Sequence, residues 1–186
     1  MPEHQLDHIL RNILNYRCPR YDQLPDLPLY SEQLIDILTR LTVPLLGDGR
    51  EPVLTPSMIN NYVKQKLIPP PVKKRYDRTH LAYLYCICLL KQVFSIQEIS
   101  SMFQIQTAYI SFPAAYDYFC TELELALKAS FSTRDFSAHS AATRISPESE
   151  LVRTAALACA CQLFTSTFLR LYPMLPTSTP TADTCT

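Results

Sequence analysis

The residues best suited to recognition chemistry lie between Asn60 and Arg78, in the stretch NNYVKQKLIPPPVKKRYDR. Residues 50–91 carry eight Lys or Arg against two Asp or Glu, whereas both flanking segments are acidic and the whole chain is neutral. Lysine and arginine bind phosphate oxygens, and asparagine can form two hydrogen bonds with an adenine base. The stretch therefore predicts a nucleic-acid interface, with a solvated charged surface as the alternative.

The predicted DNA contacts fall into two groups. The outer side of a helix would present polar side chains to the major groove, and a basic arm beside it would lie along the phosphates. For the asparagines, the alternative is an ordinary exposed helix surface. The predicted set is Ser57, Asn60, Asn61, Lys64, Lys66, Lys73, Lys74, Arg75, Tyr76 and Arg78.

Two cysteine pairs raise the alternative of a metal site. Cys86 and Cys88, like Cys159 and Cys161, are two residues apart. On a helix such residues point about 200° apart, so one ion cannot bridge them and buried thiols are the better interpretation. The sequence also lacks the phosphate-binding and nucleophile motifs of common enzymes. We therefore predict no metal, no cofactor and no enzymatic activity.

Composition predicts that helices position these residues. The chain has 15 Pro and only 2 Gly, which favours helices separated by proline breaks over tightly turned sheets. We expect an all-α protein in four parts. These are an N-terminal helix and connector (1–30), a helix-turn-helix domain (31–106), a C-terminal helical region serving as core, dimer interface or effector site (107–172), and a disordered tail (173–186).

The central segment carries clear helix boundaries. Thr55 as N-cap and Pro56 in the first turn predict a helix over 56–67, with Met58 on its buried side. Pro69, Pro70 and Pro71 then forbid helix, so the basic arm over 69–78 should be extended.

The following helices also have recognisable starts. Thr79 is the expected cap of a helix over LAYLYCICLLKQVF, which is apolar nearly all round and therefore central to the core. Ser95 and Glu98 have the spacing of a capping box. Ser146 and Pro147 open the last helix.

Targeting signals are not evident in the sequence. No basic start leads into an apolar stretch, so we expect a cytoplasmic protein with reduced thiols. The uncharged stretch 154–169 contains Gln, Thr and Ser, and we interpret it as a buried helix, with a membrane span as the minor alternative.

The segments LTPSMINNYVKQKLIPP and RYDRTHLAYLYCICLLKQVFSIQEI resemble the DNA-binding domain of MerR regulators. Thr55-Pro56, Tyr62 and Leu67-Ile68-Pro69 match the recognition helix of that family, and Arg75-Tyr76 matches the end of its wing. The first helix of the motif would then be 31–41. Two departures stand out. Asn60-Asn61 replaces Arg-Tyr, and the wing is shorter and lacks its glycine, so a short extended arm would replace a full wing.

A closer resemblance is to the bacterial family catalogued as domain of unknown function 1836. It rests on MINNYVK, IPPPVKKRY, HLAYL and LLKQVFSI and covers roughly residues 30–105. Because the role of that family is not established, this resemblance identifies a family without assigning an activity.

Together these features predict a double-stranded DNA-binding transcriptional regulator of MerR-like type in a bacterium. The MerR resemblance implies a homodimer through the C-terminal helices, because symmetric operators require two copies. The alternative is a protein–protein adaptor that keeps the winged-helix-like frame without binding DNA. The sequence identifies no small-molecule effector, and no membrane partner is expected.

Overall fold

The structure is a computed structural model that describes residues 2–47, 52–134 and 140–172. Within these ranges the chain forms seven α-helices and no β-strand, which confirms the all-α prediction. The tail predicted to be disordered, 173–186, lies outside the described residues. The helices are α1 (Pro2–Leu14), α2 (Ser31–Leu46), α3 (Pro56–Lys64), α4 (Arg78–Leu90), α5 (Ile96–Thr107), α6 (Phe112–Lys128) and α7 (Pro147–Leu171).

Helix α4 forms the centre of the core, as its all-round apolar sequence predicts. Ten of its thirteen residues are buried, and it packs against α2, α6 and α7. The most extensive helix pair is α6 with α7. Cys86, Cys88 and Cys159 are buried in this core, as predicted, and burial raises the pKa of the Cys88 thiol to about 12. These thiols therefore act as small apolar side chains. The prediction was wrong for Cys161, which is only half-buried because it lies at the edge of the buried face of α7.

The predicted helix starts are largely confirmed. The Thr55 hydroxyl accepts a hydrogen bond from the Met58 N–H at 3.2 Å, and Pro56 occupies the first turn of α3. Ser95 and Glu98 cap α5 reciprocally. These signals are local, so they do not depend on the tertiary fold.

Two details of the sequence interpretation were wrong. Asp77, not Thr79, caps α4, because the Asp77 carboxylate accepts the His80 N–H at 3.2 Å. Met58 is 36% exposed, so it does not lie on the buried side of α3, whose contact with the core runs through Ile59 and Tyr62.

Helix α2 is longer than the predicted 31–41 and continues to Leu46 although Pro44 lies inside it. Pro44 is exposed, so the carbonyl that loses its helical partner can face water. The helix ends at Gly47, which has φ +77° and donates its N–H to the Val43 carbonyl at 2.8 Å.

Helix α7 begins after Ser146, as predicted, and its buried residues face the core. By length and composition it is the one described helix that could cross a membrane, a criterion that core helices of soluble proteins also meet.

Candidate nucleic-acid interface

The outer side of α3 carries the first group of predicted contacts. Ser57, Asn60, Asn61 and Lys64 are all exposed, and their spacing of three and four residues places them on one face. Together with Met58 they line a shallow surface depression. The opposite face is fixed by Ile59, which is fully buried. The core thus determines which side chains α3 presents to a partner.

Helix α3 ends at Lys64, three residues before the predicted end at Leu67. Lys66 adopts a left-handed conformation, with φ +57°. The Lys66 N–H donates to the Val63 carbonyl at 3.0 Å and the Leu67 N–H to the Tyr62 carbonyl at 2.9 Å. This is a Schellman motif, so the helix is terminated by its own backbone hydrogen bonds before Pro69 is reached. The motif buries Leu67 and leaves Lys66 exposed.

The proline run had predicted an arm that is extended throughout. The arm instead turns back at its tip. Lys73 and Lys74 have φ +49° and +60°, and the Arg75 N–H donates to the Val72 carbonyl at 2.9 Å. Two consecutive residues with positive φ inside such a hydrogen bond form a two-residue hairpin turn of type I′. The tip of the arm is thus a tight turn with lysines in the positions that Asn-Gly usually occupies.

The lysines of this surface carry uncompensated charge. Among the described residues, no ion pair involves Lys64, Lys66, Lys73 or Lys74. Asp77 is the only acidic residue between positions 52 and 78, and its carboxylate is committed to His80. The segment from position 52 to position 78 therefore carries six Lys or Arg against one Asp, although the whole protein is neutral.

Arg75 contacts the connector through its side chain. Its guanidinium carbon lies 3.3 Å from the centroid of the Tyr30 ring, and its Nη2 donates to the Tyr30 hydroxyl. Tyr30 is 53% exposed, so this pair lies at the surface. A stacked guanidinium has restricted freedom and keeps other N–H groups for an anion.

The base of the arm is held by His80, which is 3% exposed. Its Nε2 donates to the Pro69 carbonyl at 3.1 Å, and its Nδ1 lies 2.7 Å from the Asp77 carboxylate. Both ends of the arm are thus joined to one ring. Burial alone would raise the pKa of Asp77, but the hydrogen bonds from His80 outweigh it and hold that pKa below its ordinary value.

The last two predicted contacts face the protein. Tyr76 is buried, its ring meets the His80 ring edge-on, and burial raises the pKa of its hydroxyl. The Arg78 Nε donates to the Leu24 carbonyl at 3.0 Å, and its Nη2 lies 3.5 Å from the Asp26 carboxylate. The Arg78 side chain thus joins the arm to the connector, whereas the Tyr76 side chain packs against α4.

The connector between α1 and α2 supports the arm from the other side. Leu29 and Tyr76 exchange two backbone hydrogen bonds, at 2.7 and 2.9 Å. Helix α6 in turn holds the connector, because Asp117 accepts the Tyr21 N–H at 2.7 Å and the Tyr116 hydroxyl donates to the Pro19 carbonyl at 2.8 Å. The arm is therefore fixed through a chain of contacts that reaches the C-terminal helices.

Sequence reasoning missed three residues of this site. The spacing of Asp77 and His80 is that of a capping pair, which a search for N-caps beyond Ser and Thr would have found. Tyr30 has no comparable signal, because it lies 45 residues before its partner Arg75.

Comparison with known families gives one match. The family model described as Domain of unknown function (DUF1836) matches residues 19–119, more than half of the chain, which includes most of the connector, α3, the arm and the first eight of the seventeen residues of α6. Comparison with curated proteins and with solved structures gives no match.

Proposed function

We propose that this chain, which belongs to the family of domain of unknown function 1836, is a double-stranded DNA-binding transcriptional regulator of MerR-like type. The observation that carries the proposal is the pairing of α3 with a lysine-tipped turn. One capped helix exposes a polar face, and the arm that follows it exposes Lys73 and Lys74 without ion-pair partners among the described residues.

The two elements would have different roles on a duplex. The exposed face of α3 offers Asn60 and Asn61 as groups that can read adenine in the major groove. Lys64, Lys66, Lys73 and Lys74 are suited to phosphates, which give affinity and register without sequence information. Arg75, held by Tyr30, would add one oriented contact.

Tyr76 and Arg78 would act as positioning residues. Both are engaged with the protein itself, and both stand where the arm meets the connector. They would hold the arm in its conformation before DNA binds, and this would lower the entropy cost of binding.

The experiment is fluorescence anisotropy with labelled genomic duplex fragments at several salt concentrations. Neutralisation of four to six phosphates predicts that log K falls with log salt with a slope of roughly −4 to −5. Binding that is absent at the lowest salt concentration would reject the proposal.

A protein–protein adaptor is the second candidate, and exposed apolar side chains near the arm favour it. Val72 is 73% exposed and Leu27 is 50% exposed. An adaptor would bind one partner in a defined stoichiometry, and Val72→Ser would weaken that complex. A DNA-binding protein would tolerate the same substitution with little change in affinity, because Val72 offers no group to a phosphate.

A further inference from the structure

An apolar cavity that is partly open to solvent lies where α4, α5, α6 and α7 meet. Its volume is about 40 Å³, and its walls include Cys86, Met102, Phe103, Phe119, Leu151 and Ala155. A water molecule needs roughly 10–15 Å³ in such a measure, so there is space for more than one. Because apolar walls offer water almost no hydrogen bonds, an apolar group is a more favourable occupant than water.

The polar groups beside the cavity already donate hydrogen bonds to other groups of the protein. The Gln106 amide donates to the Glu148 carbonyl, the Thr107 hydroxyl to the Phe103 carbonyl and the Tyr116 hydroxyl to the Pro19 carbonyl, each at 2.8 Å. No charged side chain lines the cavity among the described residues. Burial raises the pKa of the Cys86 thiol, which stays neutral. A bound molecule would therefore find no ionic partner.

The walls differ in rigidity. Phe112 stacks on Tyr83 with ring centroids 3.6 Å apart, and Phe103 meets Tyr83 edge-on at 5.1 Å, so these rings hold one another in place. Met102 is half-buried and unbranched, and such a side chain changes conformation readily. The cavity can therefore enlarge on the side of Met102.

We propose that this cavity is a binding site for a small neutral aromatic hydrocarbon group, which it admits when Met102 moves aside. The reasons are its apolar walls, the committed state of its polar groups and the adaptable methionine. Since α4 and α5 follow the arm directly in the chain, a ligand here would contact the helices that anchor the arm. The site does not depend on DNA binding.

The test is a titration of the full chain, labelled at the methionine methyl groups, with benzene. We expect a saturable shift of the Met102 methyl resonance and a rise in Tm, because a ligand that binds the folded state stabilises it. Met58 lies on α3 and serves as an internal control whose resonance stays unchanged. Benzoate, which carries a charged carboxylate on the same ring, should produce neither effect.

Variants distinguish binding of benzene in the cavity from a general solvent effect of benzene on the protein. Ala155→Leu fills the cavity from α7 and should abolish the saturable shift, whereas Thr154→Leu, at the exposed neighbouring position, should leave it intact. If Ala155→Leu does not fold, Ala115→Val enters the same cavity from α6 with the same expected loss. The proposal is overturned if benzene gives no saturable shift at Met102 up to its solubility limit, or if the filled variant responds like the wild type.

Discussion

The guanidinium of Arg75 lies over the ring of Tyr30, with 3.3 Å between the guanidinium carbon and the ring centroid. The two residues are 45 positions apart and come from opposite sides of the contact between the arm and the connector. This stack is the clearest sign that the arm is held in a defined orientation.

Replacing Tyr30 should weaken DNA binding through Arg75. An exposed cation–π contact contributes about 0.5–1 kcal/mol, so Tyr30→Leu should lower the affinity about two- to fivefold. Tyr30→Phe keeps the ring and should retain most of the affinity. Both are measured by anisotropy at one salt concentration. Equal affinities of Tyr30→Leu and the wild type would show that the stack does not orient a DNA contact.

The asparagine pair should control specificity and leave the electrostatic contribution unchanged. If each side chain pairs with an adenine, Asn60→Ala and Asn61→Ala should each cost about 1–3 kcal/mol on the preferred sequence. Affinity for an unrelated duplex and the salt slope should stay constant, because neither residue carries charge. The comparison requires a preferred fragment selected by the wild-type protein. A loss of the same size on both duplexes would contradict base reading.

Asp77 should make stability depend on pH in the acidic range. Its pKa in the folded state lies below the ordinary value of 3.8, so its contribution is present above about pH 4 and lost as the pH falls through the folded-state pKa. Asn at this position also caps a helix but cannot carry charge. Urea unfolding from about pH 3 to about pH 7 should show wild type and Asp77→Asn converging at low pH. A constant difference across this range would exclude the charged interaction with His80.

Lys66 should be replaceable by glycine with a gain in stability. The left-handed conformation costs a non-glycine residue about 1–2 kcal/mol, and glycine removes this cost. Glycine also gives the unfolded chain more conformational freedom, which offsets part of the gain, so Lys66→Gly should stabilise the protein by roughly 0.5 kcal/mol. Lys64→Gly removes the same charge inside the helix and should destabilise by about 1 kcal/mol. Urea denaturation distinguishes the two. A destabilised Lys66→Gly variant would contradict the helix end described above.

The sequence predicts the local features of this fold better than the distant ones. The starts of α3, α5 and α7 follow from caps that lie within four residues of the groups they satisfy. The predicted end of α3 and the predicted conformation of the arm were wrong for one physical reason. Lysine shows no preference for positive φ, so the conformations of Lys66, Lys73 and Lys74 have no signal in composition and depend on the packing around them.

For the candidate site too, the local features could be predicted from the sequence and the distant contacts could not. The polar face of α3 could be predicted, because the helical period and the buried Ile59 and Tyr62 determine it. The engagement of Arg75, Tyr76 and Arg78 could not be, because their partners in the connector are held by α6, about a hundred residues away in the chain. Only the assembled core brings these segments together.

The central claim is tested most directly by Lys73→Asn/Lys74→Gly, because the double variant removes both tip charges and installs the residues that a type I′ turn prefers. Its stability in urea should equal or exceed that of the wild type. Its salt slope in DNA binding should be smaller by about 1.8, since each lost phosphate contact contributes about 0.9. The matched control, Lys128→Ala/Arg144→Ala, removes two exposed charges from the C-terminal region and should keep the wild-type slope. An unchanged slope in a folded Lys73→Asn/Lys74→Gly variant would show that the arm does not contact DNA.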